Sequence, residues 1–279
     1  MPALNSISPD KLFRLIGTPG CPAIIDVRPE GQGLIPSSSR RPAEQVTQWG
    51  KAIAADKLVV TCVHGGSISA GVASWLRHQG VEAEILEGGF EAWASAGLPL
   101  LNENLLPPRD DEGRTVWVTR ARPKVDRIAC PWLIRRFVDP HAVFLFVAPS
   151  DVAGVAERFK AAPFDVDGVF WSHRADHCTF DTMVEELGLQ GFEALNRLAV
   201  IVRGADTAHP EIAPQAAGLL TASLGLSRMY ADDLEQLEAG MLLYDTFYRW
   251  CRDATDEAHD WVSHTPRGRT KAKTGELAG

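Results

Sequence analysis

Hydrophobic positions in the first hundred residues fall into short solid runs separated by stretches of helical spacing. Ala23-Ile-Ile-Asp-Val27, Leu58-Val-Val-Thr-Cys62 and Glu84-Ile-Leu86 predict buried strands. Leu12–Ile16 predicts a helix capped by Ser8-Pro9-Asp10. His64–Ser69 turns into a second helix that reaches about Gln79 and stops at Gly80. A third helix is expected around Trp93, after Gly88-Gly89. Pro29 to Pro42, rich in Gly, Ser and Pro, reads as a loop. Strands separated by helices of this length imply a parallel sheet covered on both faces.

Past residue 100 the pattern changes. Leu101–Arg114 is polar, carries two prolines and has no period, as a linker would. Strands follow at Thr115–Thr119 and Ala142–Val147, and helices at Val125–Phe137 and Val152–Ala161. Four more helices are predicted over Phe180–Leu187, Phe192–Val202, Gln215–Ser223 and Asp232–Trp250. The expected fold class is α/β, with a parallel sheet flanked by helices and then a second, helix-rich α+β domain. The expected boundaries are 1–100, a linker at 101–114, a second domain at 115–262, and a disordered tail at 263–279 full of Lys, Arg, Thr and Gly.

Composition narrows the function classes. Hydrophobic residues make up 45% and charged ones 23%, as in a globular protein with a real core. The net charge of −8 gives no general attraction to nucleic acid or anionic membrane, and neither is expected as a partner. No apolar run reaches the roughly 18–20 residues a membrane span needs. The N-terminus lacks the basic flank and apolar core of a signal peptide, so a cytoplasmic location is expected. Five scattered cysteines without a CxxC pair point to reduced thiols, one or two of them reactive.

Cys62 stands where a buried strand gives way to a loop and a helix. Loop N–H groups and a helix N-terminus converge on such a sulfur and favour the nucleophilic thiolate. Gly65 and Gly66 let the loop turn tightly. The competing reading is a small apolar residue closing a strand.

Three motifs bear on that choice. Ile24-Ile-Asp-Val-Arg28, Cys62-Val-His-Gly-Gly-Ser-Ile-Ser69, and Leu86-Glu-Gly-Gly-Phe-Glu-Ala-Trp93 with Gly97-Leu-Pro99 together resemble the rhodanese-like domains. The resemblance implies that Cys62 accepts a sulfane sulfur as a persulfide and passes it to a thiol acceptor, within a loop formed by His64, Gly65, Gly66 and Ser67. Many such loops read CxxGxR, and Ser67 occupies the arginine position here. Leu34 likewise replaces a histidine in the stretch Gly33-Leu-Ile-Pro-Ser37. Asp26 and Arg28 are expected to organise the loop.

The second half concentrates polar residues among aromatic ones. Arg120–Arg136 holds six cationic side chains, of which Arg127 and Arg135 are candidates for gripping an oxyanion such as chromate, sulfate or phosphate. A solvated basic helix is the competing reading. Trp171–Asp181 gathers imidazole, thiol and carboxylate groups, and Asp206 lies beyond the Ile201-Val-Arg-Gly turn. His173, Cys178, Asp181 and Asp206 are the candidate ligands of a divalent transition metal, although their spacing matches no standard zinc pattern. A polar cluster tying helix caps to loops is the alternative.

Val125–Phe137, Pro163-Phe-Asp165, His173 with Cys178–Asp181, Ile201–Asp206 and Leu243–Trp250 are similar to the C-terminal domain of chromate-resistance B-type proteins. That resemblance implies a link to chromate resistance. The expected function is a rhodanese-type sulfurtransferase fused to a metal- or oxyanion-binding domain, with a small-molecule sulfur donor, a thiol acceptor and chromate or another oxyanion as partners. The alternative is a non-catalytic chromate- or redox-responsive sensor.

Overall fold

Alternation of side chains along the first strands divides the N-terminal half into two faces. Five strands, β1 (Ser6–Ile7), β2 (Ala23–Asp26), β3 (Ser38–Arg40), β4 (Lys57–Thr61) and β5 (Glu82–Leu86), form one sheet in the order β1-β5-β4-β2-β3, every pair parallel. Ile25, Val60 and Cys62 join one core with Val72, Ala73 and Leu76 of helix α3 (Ser67–His78). Ile24 and Val59, one residue earlier, point to the other face, where Leu12 of α1 (Pro9–Leu15) and Trp93 of α4 (Gly89–Ser95) lie. A short helix, α2 (Val46–Trp49), completes the α3 side. This is the expected helix-flanked parallel sheet. Within the stretch read as loop, Ser38-Ser-Arg40 forms the edge strand β3; with no apolar run, its sequence carries no strand pattern.

The computed structural model describes residues 5–257 apart from 32, 54 and 56, so the tail read from 263 onward lies outside the described residues. In the second half, β6 (Val116–Arg120), β7 (Val143–Val147) and β8 (Ala162–Pro163) make a parallel sheet in the order β7-β6-β8. Helix α5 (Asp126–Phe137) connects β6 to β7, and α6 (Val152–Phe159) connects β7 to β8. Four helices close the half: α7 (Thr179–Glu186), α8 (Glu193–Asp206), α9 (Pro214–Met229) and α10 (Asp233–Asp253). No helix among the described residues is long and apolar enough to cross a membrane.

The two halves share a core. Phe13 of α1 stacks on Phe192 at 4.7 Å between ring centroids, and Phe192 meets the edge of Phe137 at 5.0 Å. Phe137 also packs on Trp132 and Tyr248. Residues 101–114 do not hang free: Leu101 is buried and exchanges two backbone hydrogen bonds with Leu34, and Asn102 N–H donates to Leu187 at 3.1 Å. At the same seam, a Cβ on Gly191 would lie 2.5 Å from the ring of Pro99.

Candidate functional site

Cys62 follows the last residue of β4, and the loop behind it runs directly into α3. Its S–H donates to Ser69 Oγ at 3.1 Å, and the Ser69 hydroxyl in turn donates to Gly66 O at 3.1 Å. Burial pushes the thiol up, but hydrogen bonds from the Ser69 hydroxyl and the N–H groups of Ser69, Gly66 and His64 outweigh it and lower the thiol overall. The N-terminus of the 12-residue α3 adds about half a positive charge on the same side. Its four companion cysteines are all shifted the other way: burial raises Cys21 to about 12 and Cys251 to about 11, and pushes Cys130 and Cys178 well up.

The closing motif holds the loop in place. Phe90 N–H donates to Cys62 O at 2.9 Å and Glu91 N–H to Val63 O at 3.0 Å. Gly65 has φ +67°, and a Cβ there would come within 2.7 Å of Leu86 O and 2.8 Å of Gly89 N. Gly66, at φ −96°, has open space in place of a Cβ, so of the two loop glycines it is Gly65 that the tight turn requires. Asp26 and Arg28 are buried and paired at 2.7 Å, and the Arg28 guanidinium lies 3.4 Å from the Phe90 ring centre. His64 is exposed and meets Glu91 at 2.9 Å. Ser67, also exposed, opens α3.

A second site opens at the carboxyl ends of β6 and β8, where ligands of parallel sheets commonly sit. Arg120 ends β6, Asp126 opens α5, Asp165 follows β8, His173 lies in the loop before α7, and Asp206 ends α8. His173 Nε2 faces Asp206 at 3.2 Å, Asp165 at 3.3 Å and Asp126 at 3.6 Å. One N–H cannot serve three carboxylates, and none of these distances reaches the 2.7–2.9 Å of a charge-assisted bond. Two ligands bonded to one cation at about 2.0–2.2 Å, and about 90–110° apart, stand about 2.8–3.6 Å from each other. The observed separations fall in that range. Ligand atoms of Asp126, His173 and Asp206 all lie within 4.8 Å of one another.

Asp126 is wholly buried. Its Oδ2 accepts Thr179 N–H at 2.6 Å and Phe180 N–H at 3.3 Å, while Oδ1 has no N–H or O–H donor among the described residues. Burial, then the charges of Asp206 and Asp165, push its carboxyl well above the usual range. Asp206 is raised by burial and Asp165, against the lowering effect of His173. Two residues of this wall are held at positive φ, Val125 at +35° and Asp165 at +51°. Such strain in a β-branched residue costs on the order of 1–3 kcal/mol and concentrates at functional sites. Arg127 Nε and Arg120 Nη2 both stand 3.2 Å from Asp165 Oδ2.

Of the residues singled out in the sequence, His173 and Asp206 come together here. Cys178 and Asp181 do not join them as ligands. Cys178 is buried with its thiol against Asp126. Asp181 caps α7 through Cys178 N–H and forks onto Arg203 at 3.0 and 3.1 Å. Arg127 borders the cavity, but Arg135, two turns further along α5, pairs with Glu238 and lies over Phe144. Asp126 and Asp165 carry no ligand signal in the sequence, because a helix-opening Asp and a turn Asp are ordinary structural residues; Ser69 closes the loop motif, but nothing in the sequence aims its hydroxyl at the sulfur.

Residues 8–96 match the family described as Rhodanese-like domain, and residues 117–251 match ChrB, C-terminal domain. Protein ChrB of Cupriavidus metallidurans is 35% identical over 152 residues, spanning 51% of this chain and 43% of that protein. The chain thus covers less than half the length of the curated relative it matches. Among solved structures, a rhodanese-related protein from Thermoplasma volcanium is 25% identical, covering 36% of this chain and 100% of its own, at a TM-score of 0.31. A rhodanese-like domain protein from Staphylococcus aureus is 28% identical, covering 32% of this chain and 91% of its own, at 0.29. The two family matches fall one on each half, in the order in which the two sheets are built: the first half is similar to the rhodanese-like domains and the second to the C-terminal domain of ChrB.

Proposed function

We propose that this chain is a cytoplasmic sulfur carrier linked to chromate or other oxyanion resistance, with Cys62 holding a persulfide. The observation that supports this most is the Cys62 sulfur, whose thiol is lowered by the Ser69 hydroxyl and three loop N–H groups. The Cys62 thiolate attacks the sulfane sulfur of a donor; a new S–S bond forms as the donor's own bond to that sulfur breaks, and the donor leaves as an anion. An acceptor thiolate then attacks the outer sulfur and releases the Cys62 thiolate. Electrons balance without an added oxidant. Ser67 brings no guanidinium, so the loop N–H groups and the α3 terminus supply the positive potential. Intact-mass measurement after exposure to a persulfide donor should show one added sulfur, lost in Cys62→Ser. An unloaded native chain would sink the proposal.

A second reading is a sensor in which Cys62 does not turn over, favoured by Ser67 at the arginine position. Sulfur transfer from both thiosulfate and a persulfide donor would rule it out.

For the C-terminal domain we propose a divalent cation held by Asp126, His173 and Asp206. Carboxylates with one imidazole and no thiolate suit a cation such as Mn²⁺. Equilibrium dialysis of the full chain against Mn²⁺ should give one bound ion, lost in His173→Ala and Asp206→Asn; equal uptake by all three proteins would refute the site.

A further inference from the structure

The cavity at this site has a volume of about 520 Å³, within the roughly 300–1,000 Å³ range of pockets that hold organic ligands. Its lining has two characters. One side is polar: Arg120, Lys124 and Arg127 stand with Asp165, Asp167, His173 and Asp206. The other carries Leu220 and Leu224 of α9. Nε of both Arg120 and Arg127 is buried without a hydrogen-bond acceptor among the described residues, because the 3.2 Å approach of Arg127 Nε to Asp165 lacks hydrogen-bond alignment. The rest of each guanidinium is reachable from the cavity, with 40% of the Arg120 side chain and 20% of the Arg127 side chain exposed, which suits an oxyanion.

Charge adds an order to the binding. A divalent cation at Asp126, His173 and Asp206 would add two positive charges beside the guanidiniums of Arg120 and Arg127, so an anion gains attraction to this wall once the cation is in place.

We infer that the cation-loaded pocket binds an organic phosphate, its phosphate oxygens bridging the cation and the guanidiniums of Arg120 and Arg127, its apolar body against Leu220 and Leu224. The inference rests on the cation reading above. Arginine suits the phosphate because its planar fork meets two oxygens at once. The leucine wall and the volume are what separate an organic phosphate from a bare oxyanion, which would leave both unused.

The test is calorimetric titration of the full chain with phenyl phosphate and with inorganic phosphate, each in Mn²⁺ and in chelator. Phenyl phosphate should bind at least tenfold more tightly with Mn²⁺, and about tenfold more tightly than inorganic phosphate. Arg120→Ala should keep Mn²⁺ and lose about tenfold or more in phosphate affinity. Because Arg120 also supports the backbone of Asp165, the exposed Lys124→Ala is the second variant, with a smaller loss in the same direction. Leu224→Ala should erase the preference for the phenyl group. Mn²⁺ uptake with phosphate binding indifferent to it overturns this inference and leaves the cation site standing. Equal affinity for the two phosphates reduces the pocket to a bare oxyanion site and overturns the organic ligand. No Mn²⁺ uptake removes both readings.

Discussion

At the residue scale, the five thiols of one reduced chain are sorted by surroundings. Cys62 alone is lowered, while the other four are raised chiefly by burial. Since the thiolate is the nucleophile, alkylation at neutral pH should mark Cys62 first. A lowered group is an anion above its own shifted value, so its rate should hold to lower pH than that of a free thiol and fall only as pH drops through that value. Peptide mapping after limited iodoacetamide treatment checks this; labelling spread over Cys21 or Cys251 would contradict it. Ser69→Ala should slow the Cys62 reaction by about tenfold, the scale of a hydrogen bond to a charged group. The effect was not readable beforehand, since a serine two positions into a helix looks the same whether or not it faces a sulfur.

The element scale explains why the two sites differed so much in legibility. The sulfur loop is one contiguous segment between a strand and a helix, so Cys62 and Gly65 stand together in the chain. The second pocket is assembled from the ends of five separate elements, and of its residues His173, Asp206 and Arg127 carry a visible signal in the sequence. Cys178 and Asp181 stood close to His173 in sequence, but the start of α7 turned one into the core and the other onto Arg203. Strands were legible where a solid apolar run marked them, as in β2 and β4, and illegible in β3, whose polar residues serve an edge. Gly65→Ala tests the loop as an element: at φ +67°, with backbone atoms under 3 Å from the added methyl, it should cost more than about 1 kcal/mol and lower sulfur loading. A variant of native melting temperature and loading would show that the turn has slack.

At the scale of the whole molecule, the aromatic seam makes the halves thermodynamically one. Phe192 is 3% exposed and touches Phe13 of the first half and Phe137 of the second. Phe192→Ala should therefore cost about 3–5 kcal/mol and lower the melting of both halves together. Two separate transitions, with only the second displaced, would mean the halves fold independently. The expected linker is better described as a strap, because Leu101 and Asn102 bond backbone to backbone on either side of it. That could not be read from a polar, aperiodic stretch, since both contacts use main-chain atoms that every sequence has.

The seam also constrains how such a chain can change over time. The ring of Pro99 fills the space that any side chain at position 191 would need. A larger residue at 191 becomes tolerable only after Pro99 has been trimmed, so the two positions must drift in step. Exchanging the first hundred residues for those of an unrelated protein would break that pairing, and the graft would need its own matching notch on the far side.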